Sequence, residues 1–166
     1  ANGRNKVEEF TDLLQFNTVD VSDEVMKHMS ETITPQGIIA ICTIPVKQLD
    51  SIALNGSRRF IYLSEIQDPG NAGTILRSAD AFGMDAVITS PGSVDMYSPK
   101  VVRSTAGSLW HIPVFESVAL EDLVNHGVRG FSLGASGSKS LNDYVATGDT
   151  VAIVGNDSRG LTPSKN

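Results

Sequence analysis

Cysteine and positive charge are both scarce in this sequence. A single cysteine among 166 residues excludes an internal disulfide and leaves no cysteine-based zinc site to consider. Cys42 lies within the apolar run IIAICTI, which predicts a buried and inert thiol. A formal net charge of −6 argues against a general nucleic-acid coat, although it leaves room for a local basic patch. The reducing cytoplasm is the expected compartment.

Several longer signals are also missing. No stretch approaches the roughly 20 apolar residues that a membrane span needs, and the N-terminus lacks a signal-peptide pattern. Neither G-x-G-x-x-G nor G-x-x-x-x-G-K-[ST] occurs, which excludes both of these phosphate-binding loops. The histidines are too widely spaced for a metal site, so each is interpreted as structural: His28, His111 and His126.

Short apolar runs alternate with polar or helical stretches through most of the chain. The runs are GIIAICTI, RFIYLSEI, DAVITS, HIPVF, GFSLGA and TVAIVG. Alternation of this kind predicts an α/β fold with a mostly parallel sheet and helices on both faces. Before these runs, VSDEVMKHM predicts a helix capped by Ser22. A weak helix, VKQLDSIAL, predicts a linker, which divides the chain into residues 1–50 and 51–166.

The segment IYLSEIQDPGNAGTILRSADAFG carries the strongest local pattern. Asp68-Pro69-Gly70 predicts a turn after a strand, and Asn71 then serves as the cap of a helix that ends at Gly83. Apolar residues recur at helical spacing and predict one buried stripe: Ala72, Ile75, Leu76, Ala79 and Phe82.

Arg77 lies off that stripe, on the helix face that it shares with Gly73. A glycine within a helix costs about 1 kcal/mol relative to alanine, and here it is expected to leave the space beside Arg77 open. A helix that follows the C-terminal end of a strand is where α/β sheets usually bind ligands. Two structural alternatives stay open: a solvated surface arginine, and a glycine that permits close helix packing.

Three blocks in this order resemble the signatures of the SpoU/TrmH family of RNA ribose methyltransferases. NAGTILRSADAFG is similar to the first signature, KVVRSTAGSLWHIPVF to the next block, and TVAIVGNDSRGLTP to the second signature, with Asp157 where glutamate is more frequent. The matching positions of the first signature are Asn71, Gly73, Arg77, Ala79, Phe82 and Gly83. Residues 1–50 look like the end of a small N-terminal substrate-binding domain that many members carry.

The resemblance implies a trefoil-knotted α/β fold, a homodimer, S-adenosylmethionine as cofactor, and ribosomal rather than transfer RNA as substrate. It implies that Arg77 positions and stabilises the attacking ribose oxygen, with Asn71 fixing the loop or contacting the RNA backbone. Expected cofactor residues are Gly155, Gly160, Asn156, Leu133 and Gly134. On spacing alone, the two flanking glycines also fit an ordinary strand-to-loop turn.

Local basic residues are the candidates for RNA contacts, since neutralising phosphate requires only a patch. They are Arg58, Arg59, Lys100, Arg103 and Lys139, and a scattered solvated surface is the alternative. Trp110 at a strand start is expected to belong to the core rather than to stack on bases.

The family's third signature, an Ile-Pro-Met segment followed by Ser-Leu-Asn, is expected beyond Asn166. Ser140-Leu141-Asn142 precedes the second signature and is not assigned that role. We therefore expect the full-length protein to bind S-adenosylmethionine and residues 1–166 alone to bind it weakly. Two rivals remain: a non-catalytic RNA-binding or ribosome-associated module on the same scaffold, and a different α/β enzyme such as a nucleotide-dependent transferase.

Overall fold

The chain forms two compact units, Ala1–Ile44 and Pro45–Asn166, in the computed structural model. The structure describes residues 16–45, 47–134 and 140–155. The boundary between these units, after Ile44, lies a few residues before the boundary that the sequence predicts after residue 50. The expected linker helix is reduced to a short 3-10 helix, Leu49–Ser51.

The first unit contains the predicted helix, α1, over Asp23–Met29. Ser22 is its cap, as expected, and its hydroxyl accepts a 3.3 Å hydrogen bond from the Val25 amide. The strand predicted in GIIAICTI is wrong, because residues 37–44 form no strand and are largely exposed. Cys42 is exposed rather than buried. A strand requires a neighbour to pair its backbone, and no described residue pairs with this segment.

The second unit is built on five parallel strands in the order β3-β2-β1-β5-β4. They are β1 Arg59–Leu63, β2 Ala86–Thr89, β3 Val114–Phe115, β4 Arg129–Leu133 and β5 Thr150–Val154. The helices between them are α2 Pro69–Ala81, α3 Pro99–Ser104 and α4 Leu120–Asn125, with short 3-10 helices at Ser108–Trp110 and Leu141–Asp143. The predicted α/β fold with a parallel sheet is confirmed for these residues.

Alternate side chains of β1 enter two different cores, as expected for a strand covered on both faces. Ile61 and Leu63 pack with buried residues of α2 and α3. Phe60 and Tyr62 pack on the other face with Leu123 of α4. The Tyr62 hydroxyl donates a 2.9 Å hydrogen bond to the Val118 carbonyl, and burial, with Glu121 nearby, raises the pKa of Tyr62 to about 12. Helices therefore cover both faces of the sheet.

The helix α2 begins three residues earlier than predicted. Asp68, not Asn71, is its cap, and the Asp68 carboxylate accepts a 2.7 Å hydrogen bond from the Asn71 amide. Pro69 occupies the first helical position, where its fixed φ and missing N–H are favourable. The helix ends as predicted, with Gly83 at a φ of +67°.

Packing of α2 against α3 depends on Gly73, which is buried rather than beside open space. A methyl group at this position would lie 1.7 Å from Ser104 Oγ and 2.9 Å from the Ser104 carbonyl carbon. The Ser104 hydroxyl also donates a 3.0 Å hydrogen bond to the Pro69 carbonyl. The alternative interpretation of Gly73, close helix packing, is therefore correct.

Two aromatic side chains expected in the core are exposed instead. Phe82 is 82% exposed, because it lies at the rim of the apolar stripe and caps the helix where the backbone leaves helical geometry. Trp110 is 62% exposed, although its neighbours Leu109 and Ile112 are buried. A count of apolar residues at helical spacing could not distinguish the rim of a stripe from its centre.

At the amino end of the sheet, Asp149 ties the start of β1 to the segment before β5. Its carboxylate accepts hydrogen bonds from the amides of Arg58, at 2.8 Å, and Gly56, at 3.0 Å. Desolvation opposes ionisation, but these backbone hydrogen bonds outweigh it, so the pKa of Asp149 is lowered.

We expect Asp149→Asn to lower the free energy of unfolding at pH 7 by about 1 kcal/mol, because several amides lose a charged acceptor. The pKa of Asp149 is lower in the folded state than in the unfolded state, where it is about 4. The ionised carboxylate therefore stabilises the fold above the unfolded-state pKa, and this stabilisation is lost as pH falls through the folded-state pKa. The wild-type advantage should therefore disappear at acidic pH. Urea unfolding at pH 7 and pH 3 measures this, with the exposed Asp143→Asn as control. Equal free energies of unfolding for Asp149→Asn and the wild type at pH 7 would contradict the stabilising role of Asp149.

Gly73→Ala should destabilise the second unit by about 3 kcal/mol, because the overlap with Ser104 includes backbone. Gly70→Ala is the control: its nearest neighbour is a side-chain oxygen of Asp68 at 3.0 Å. Ser104→Gly removes the closest atoms, so the double variant should lose less stability than the sum of the two single variants. Additive losses in thermal unfolding would show that Gly73 does not contact Ser104 as described.

Candidate active site

The sheet has a topological switch point between β1 and β5: β2 and β3 lie on the β1 side of it, and β4 lies on the β5 side. Such a point is the usual ligand-binding position of an open parallel sheet. These two strands pair in parallel, with Leu63 opposite Val154. Just past the strands, the Ser64 amide donates a 2.8 Å hydrogen bond to the Val154 carbonyl. The loops after the two strands, one leading into α2 and the other beginning at Gly155, therefore start side by side.

Arg77 lies on the exposed side of α2. Its guanidinium makes no hydrogen bond or ion pair with any residue in the described ranges, so its positive charge has no protein partner there. Asn71, also exposed, lies in the first turn of the same helix. Both candidate catalytic residues are thus on one short helix that starts from the carboxyl edge of the sheet.

The side of α2 that carries Arg77 borders the segment between α3 and β3. One turn before Arg77, Gly73 touches Ser104. About one turn after it, the Asp80 carboxylate accepts hydrogen bonds from Ser108 and from His111, the latter at 3.2 Å. These hydrogen bonds, with that of Ser108 the stronger, lower the pKa of Asp80. Contacts therefore hold α2 both one turn before Arg77 and about one turn after it.

Two candidate cofactor residues meet at the same edge. Leu133 pairs with Val154, so Gly134 and Gly155 follow neighbouring strands directly. Gly134 is exposed, and a methyl group added there would meet nothing within 4 Å. Glycine at both positions lets a flat ligand approach the backbone closely, and the residues present therefore fit an adenosine group. Asn156 and Gly160, like Lys139 and Asp157, lie outside the described residues.

The candidate RNA-binding residues lie at two separate places. Lys100 and Arg103 are exposed on α3, next to the start of α2. Arg58 and Arg59 lie at the amino end of β1, the opposite edge of the sheet. There Arg58 pairs with Asp85, and Arg59 donates to the carbonyls of Arg58 and Gly148. A list of basic residues could not reveal this separation, because it depends on which end of a strand each occupies.

Glu65, which the sequence did not single out, has an unusual backbone. It follows β1 with a φ of +50°, a region that side chains other than glycine, asparagine and aspartate rarely adopt. Its amide donates a 2.8 Å hydrogen bond to the Ser90 hydroxyl, which holds this conformation. Strained residues of this kind concentrate at functional sites. Nothing in the amino-acid pattern could have indicated the strain.

The part of the chain that the structure describes has neither a membrane-spanning helix nor a cluster of metal-binding side chains. No helix in it has the length and apolar content that a membrane span requires. Nor does it bring together three or more histidine, cysteine, aspartate or glutamate side chains that could hold a metal ion. Two histidines have structural partners: His111 binds Asp80, and His126 binds Asp50 at 3.0 Å.

Comparison with known proteins agrees with this geometry. The chain is 32% identical over 144 residues to the 23S rRNA (guanosine(2553)-2′-O)-methyltransferase of Bacillus subtilis, covering 85% of this chain and 56% of that protein. It is 28% identical to the 23S rRNA (uridine(2479)-2′-O)-methyltransferase of Streptomyces viridochromogenes, covering 84% and 52%. The chain thus spans little more than half the length of these relatives.

Among solved structures, the AdoMet-bound rRNA methyltransferase of Sinorhizobium meliloti superposes with a TM-score of 0.81 at 26% identity. That match covers 96% of this chain and 62% of the other. The family model described as SpoU rRNA methylase matches residues 58–165, which include α2 and all five strands. The chain therefore belongs to the SpoU rRNA methylase family.

Proposed function

We propose that the full-length protein transfers a methyl group from S-adenosylmethionine to a ribose 2′-hydroxyl of ribosomal RNA. The observation that carries this proposal is Arg77, an exposed arginine with no partner among the described residues, on the helix that starts from the edge where the sheet reverses its strand order. Family membership and the activities named for the relatives support the same reaction.

Methyl transfer to a ribose is an in-line displacement in which the attacking oxygen must lose a proton. An arginine side chain remains protonated in proteins, so Arg77 is a poor general base but a strong electrostatic stabiliser. Its planar fork of donors can hold the ribose oxygen and an adjacent phosphate together, so that this phosphate is in position to accept the proton that the oxygen loses. We assign Arg77 this role, and assign Asn71 the role of fixing the loop or contacting the RNA backbone.

S-adenosylmethionine would supply the electrophilic methyl group on a sulfonium. Gly134 and Gly155 would accept its adenosine part at the edge of the sheet, with Leu133 beside them, because neither glycine presents a side chain. Lys100 and Arg103 are placed to contact RNA phosphates near the start of α2. We assign no RNA contact to Arg58 and Arg59, whose side chains are bonded at the other edge.

The family resemblance further supports a trefoil knot, a homodimer with its active site near the interface, and an RNA-binding role for residues 1–50. An exposed free Cys42 is best kept in a reducing environment, which favours the cytoplasm.

Arg77→Ala in the full-length protein should reduce single-turnover methyl transfer by about a hundredfold or more, the scale of losing one preorganised charge-stabilising group. Arg77→Lys should recover only part of the rate, because an ammonium lacks the planar fork. Thermal unfolding should barely change, since the side chain is exposed. Transfer of labelled methyl from S-adenosylmethionine to RNA, with cofactor affinity titrated separately, gives these values.

Arg129→Ala, an exposed arginine at the amino end of β4, is the matched control and should retain activity. Near-normal turnover of Arg77→Ala, or its unfolding, would assign Arg77 a structural role. An absence of both cofactor binding and transfer in the full-length wild type would favour the non-catalytic RNA-binding module.

The full-length protein should sediment as a dimer at micromolar concentration, because the proposed active site needs a second subunit beside it. Sedimentation equilibrium across a hundredfold range of protein concentration measures the association directly. A monomer throughout that range would contradict the shared site, even if methyl transfer were retained.

A further inference from the structure

Trp110 presents an unusually open aromatic surface. It ends the short 3-10 helix Ser108–Trp110, and 62% of its surface is exposed. A tryptophan normally hides most of its large apolar area, in a core or against a partner. Its immediate neighbours Leu109 and Ile112 are buried, so the local chain is well packed and the indole alone faces outward.

The backbone that carries this indole is firmly held. Trp110 donates a 3.0 Å hydrogen bond from its amide to the Gly107 carbonyl. Ala106 and Gly107 both have positive φ, +49° and +99°, which turn the chain sharply after α3. On the other side, the His111 ring contacts the Asp80 carboxylate at 3.2 Å. A ligand that bound the indole would therefore meet a preorganised surface.

The same contacts place Trp110 near the candidate catalytic arginine. Asp80 lies three residues after Arg77 on α2, so the two side chains are neighbours on the helix surface. Asp80 in turn holds His111 and Ser108, the residues that border the indole. Arg77 and Trp110 are thus both close in sequence to residues that join α2 to the segment after α3: Arg77 to Asp80, and Trp110 to His111.

Trp110 lines a shallow cavity of about 150 Å³. Ile112 and Pro113 contribute apolar surface to its lining, and Lys47 contributes a positive charge. Three carboxylates on neighbouring segments are held by hydrogen bonds within the protein: Asp80 accepts from His111 and Ser108, Glu116 from the Met96 amide, and Asp95 from the Tyr97 amide.

We propose that Trp110 stacks on an unpaired base of the RNA substrate, next to the nucleotide whose ribose Arg77 holds. An exposed indole provides the flat face that a base requires, and Lys47 suits a neighbouring phosphate. Every base has such a face, so the contact fixes the strand without reading its sequence. The position of the base relative to the reacting ribose rests on the proposed function.

The test uses the full-length protein and a fluorescein-labelled 12-nucleotide single-stranded RNA, with affinity measured by anisotropy. Trp110→Leu should weaken binding about tenfold, because leucine is apolar but cannot stack as a ring does. Trp110→Phe should stay within about threefold of wild type. Val124→Ala alters a residue that is 58% exposed on α4, against the other face of the sheet, and should leave affinity unchanged.

A duplex RNA of the same length separates stacking from charge. Bases in a duplex already stack on each other, so its affinity should not depend on Trp110. The indole fluorescence, taken as the difference between wild type and Trp110→Phe, should be quenched by the single strand alone. Equal single-strand affinity of Trp110→Leu and wild type would overturn the proposal.

Two further measurements separate this proposal from its alternatives. If Trp110→Leu changed the sedimentation of the free protein, the indole would belong to a subunit interface and the stacking role would be wrong. Affinity for S-adenosylmethionine should be the same in all the Trp110 variants. The protein could also transfer no methyl group and still lose single-strand binding in Trp110→Leu. That result would support the stacking role of Trp110 and reject the methyltransferase proposal.

Discussion

Parallel pairing between β1 and β5 is the constraint on which the second unit depends. Because β5 lies between β1 and β4, the strand order reverses there. Because all the pairings are parallel, the five strands end at one edge. That edge receives the glycines after β4 and β5, the strained Glu65 after β1 and the start of α2. The opposite edge uses its charged groups for structure, with Asp85 and Asp149 binding the beginning of β1.

The packing of helix α2 on the sheet and on α3 determines where Arg77 lies. Its buried stripe of Ala72, Leu76 and Ala79 fixes its rotation, and the contact of Gly73 with Ser104 fixes its distance from α3. Arg77 is exposed because the opposite side of the helix is committed to packing. The same glycine that appeared to clear space for the arginine instead brings α3, with Lys100 and Arg103, close to the helix start.

Patterns that depend on local chemistry were predictable from the sequence. The five strands of the second unit, the Ser22 cap and the terminal Gly83 all follow from apolar runs, capping side chains and glycine's tolerance of positive φ. The helix start was misplaced because Asp68-Pro69 fits either a turn or a cap followed by a first-turn proline.

Features that depend on partners distant in sequence were not predictable. GIIAICTI has the composition of a strand, but whether such a run pairs depends on a neighbour that the run cannot specify. The sequence left two interpretations of Gly73 open, because its neighbour, Ser104, is on another helix. Trp110 was assigned to the core by its type, although Leu109 and Ile112 on either side fill that core instead. The separation of Arg58 from Lys100 likewise follows from the topology.

The position of the transferred methyl group tests the central claim most directly. The full-length protein would be incubated with labelled S-adenosylmethionine and unmethylated ribosomal RNA transcribed in vitro, and the product hydrolysed in alkali. Alkaline cleavage requires a free 2′-hydroxyl, so methylation of that oxygen protects the adjoining linkage. The account predicts that the label is recovered in alkali-resistant dinucleotides. Recovery of the label in ordinary mononucleotides, as base methylation would give, or a complete lack of transfer would contradict it.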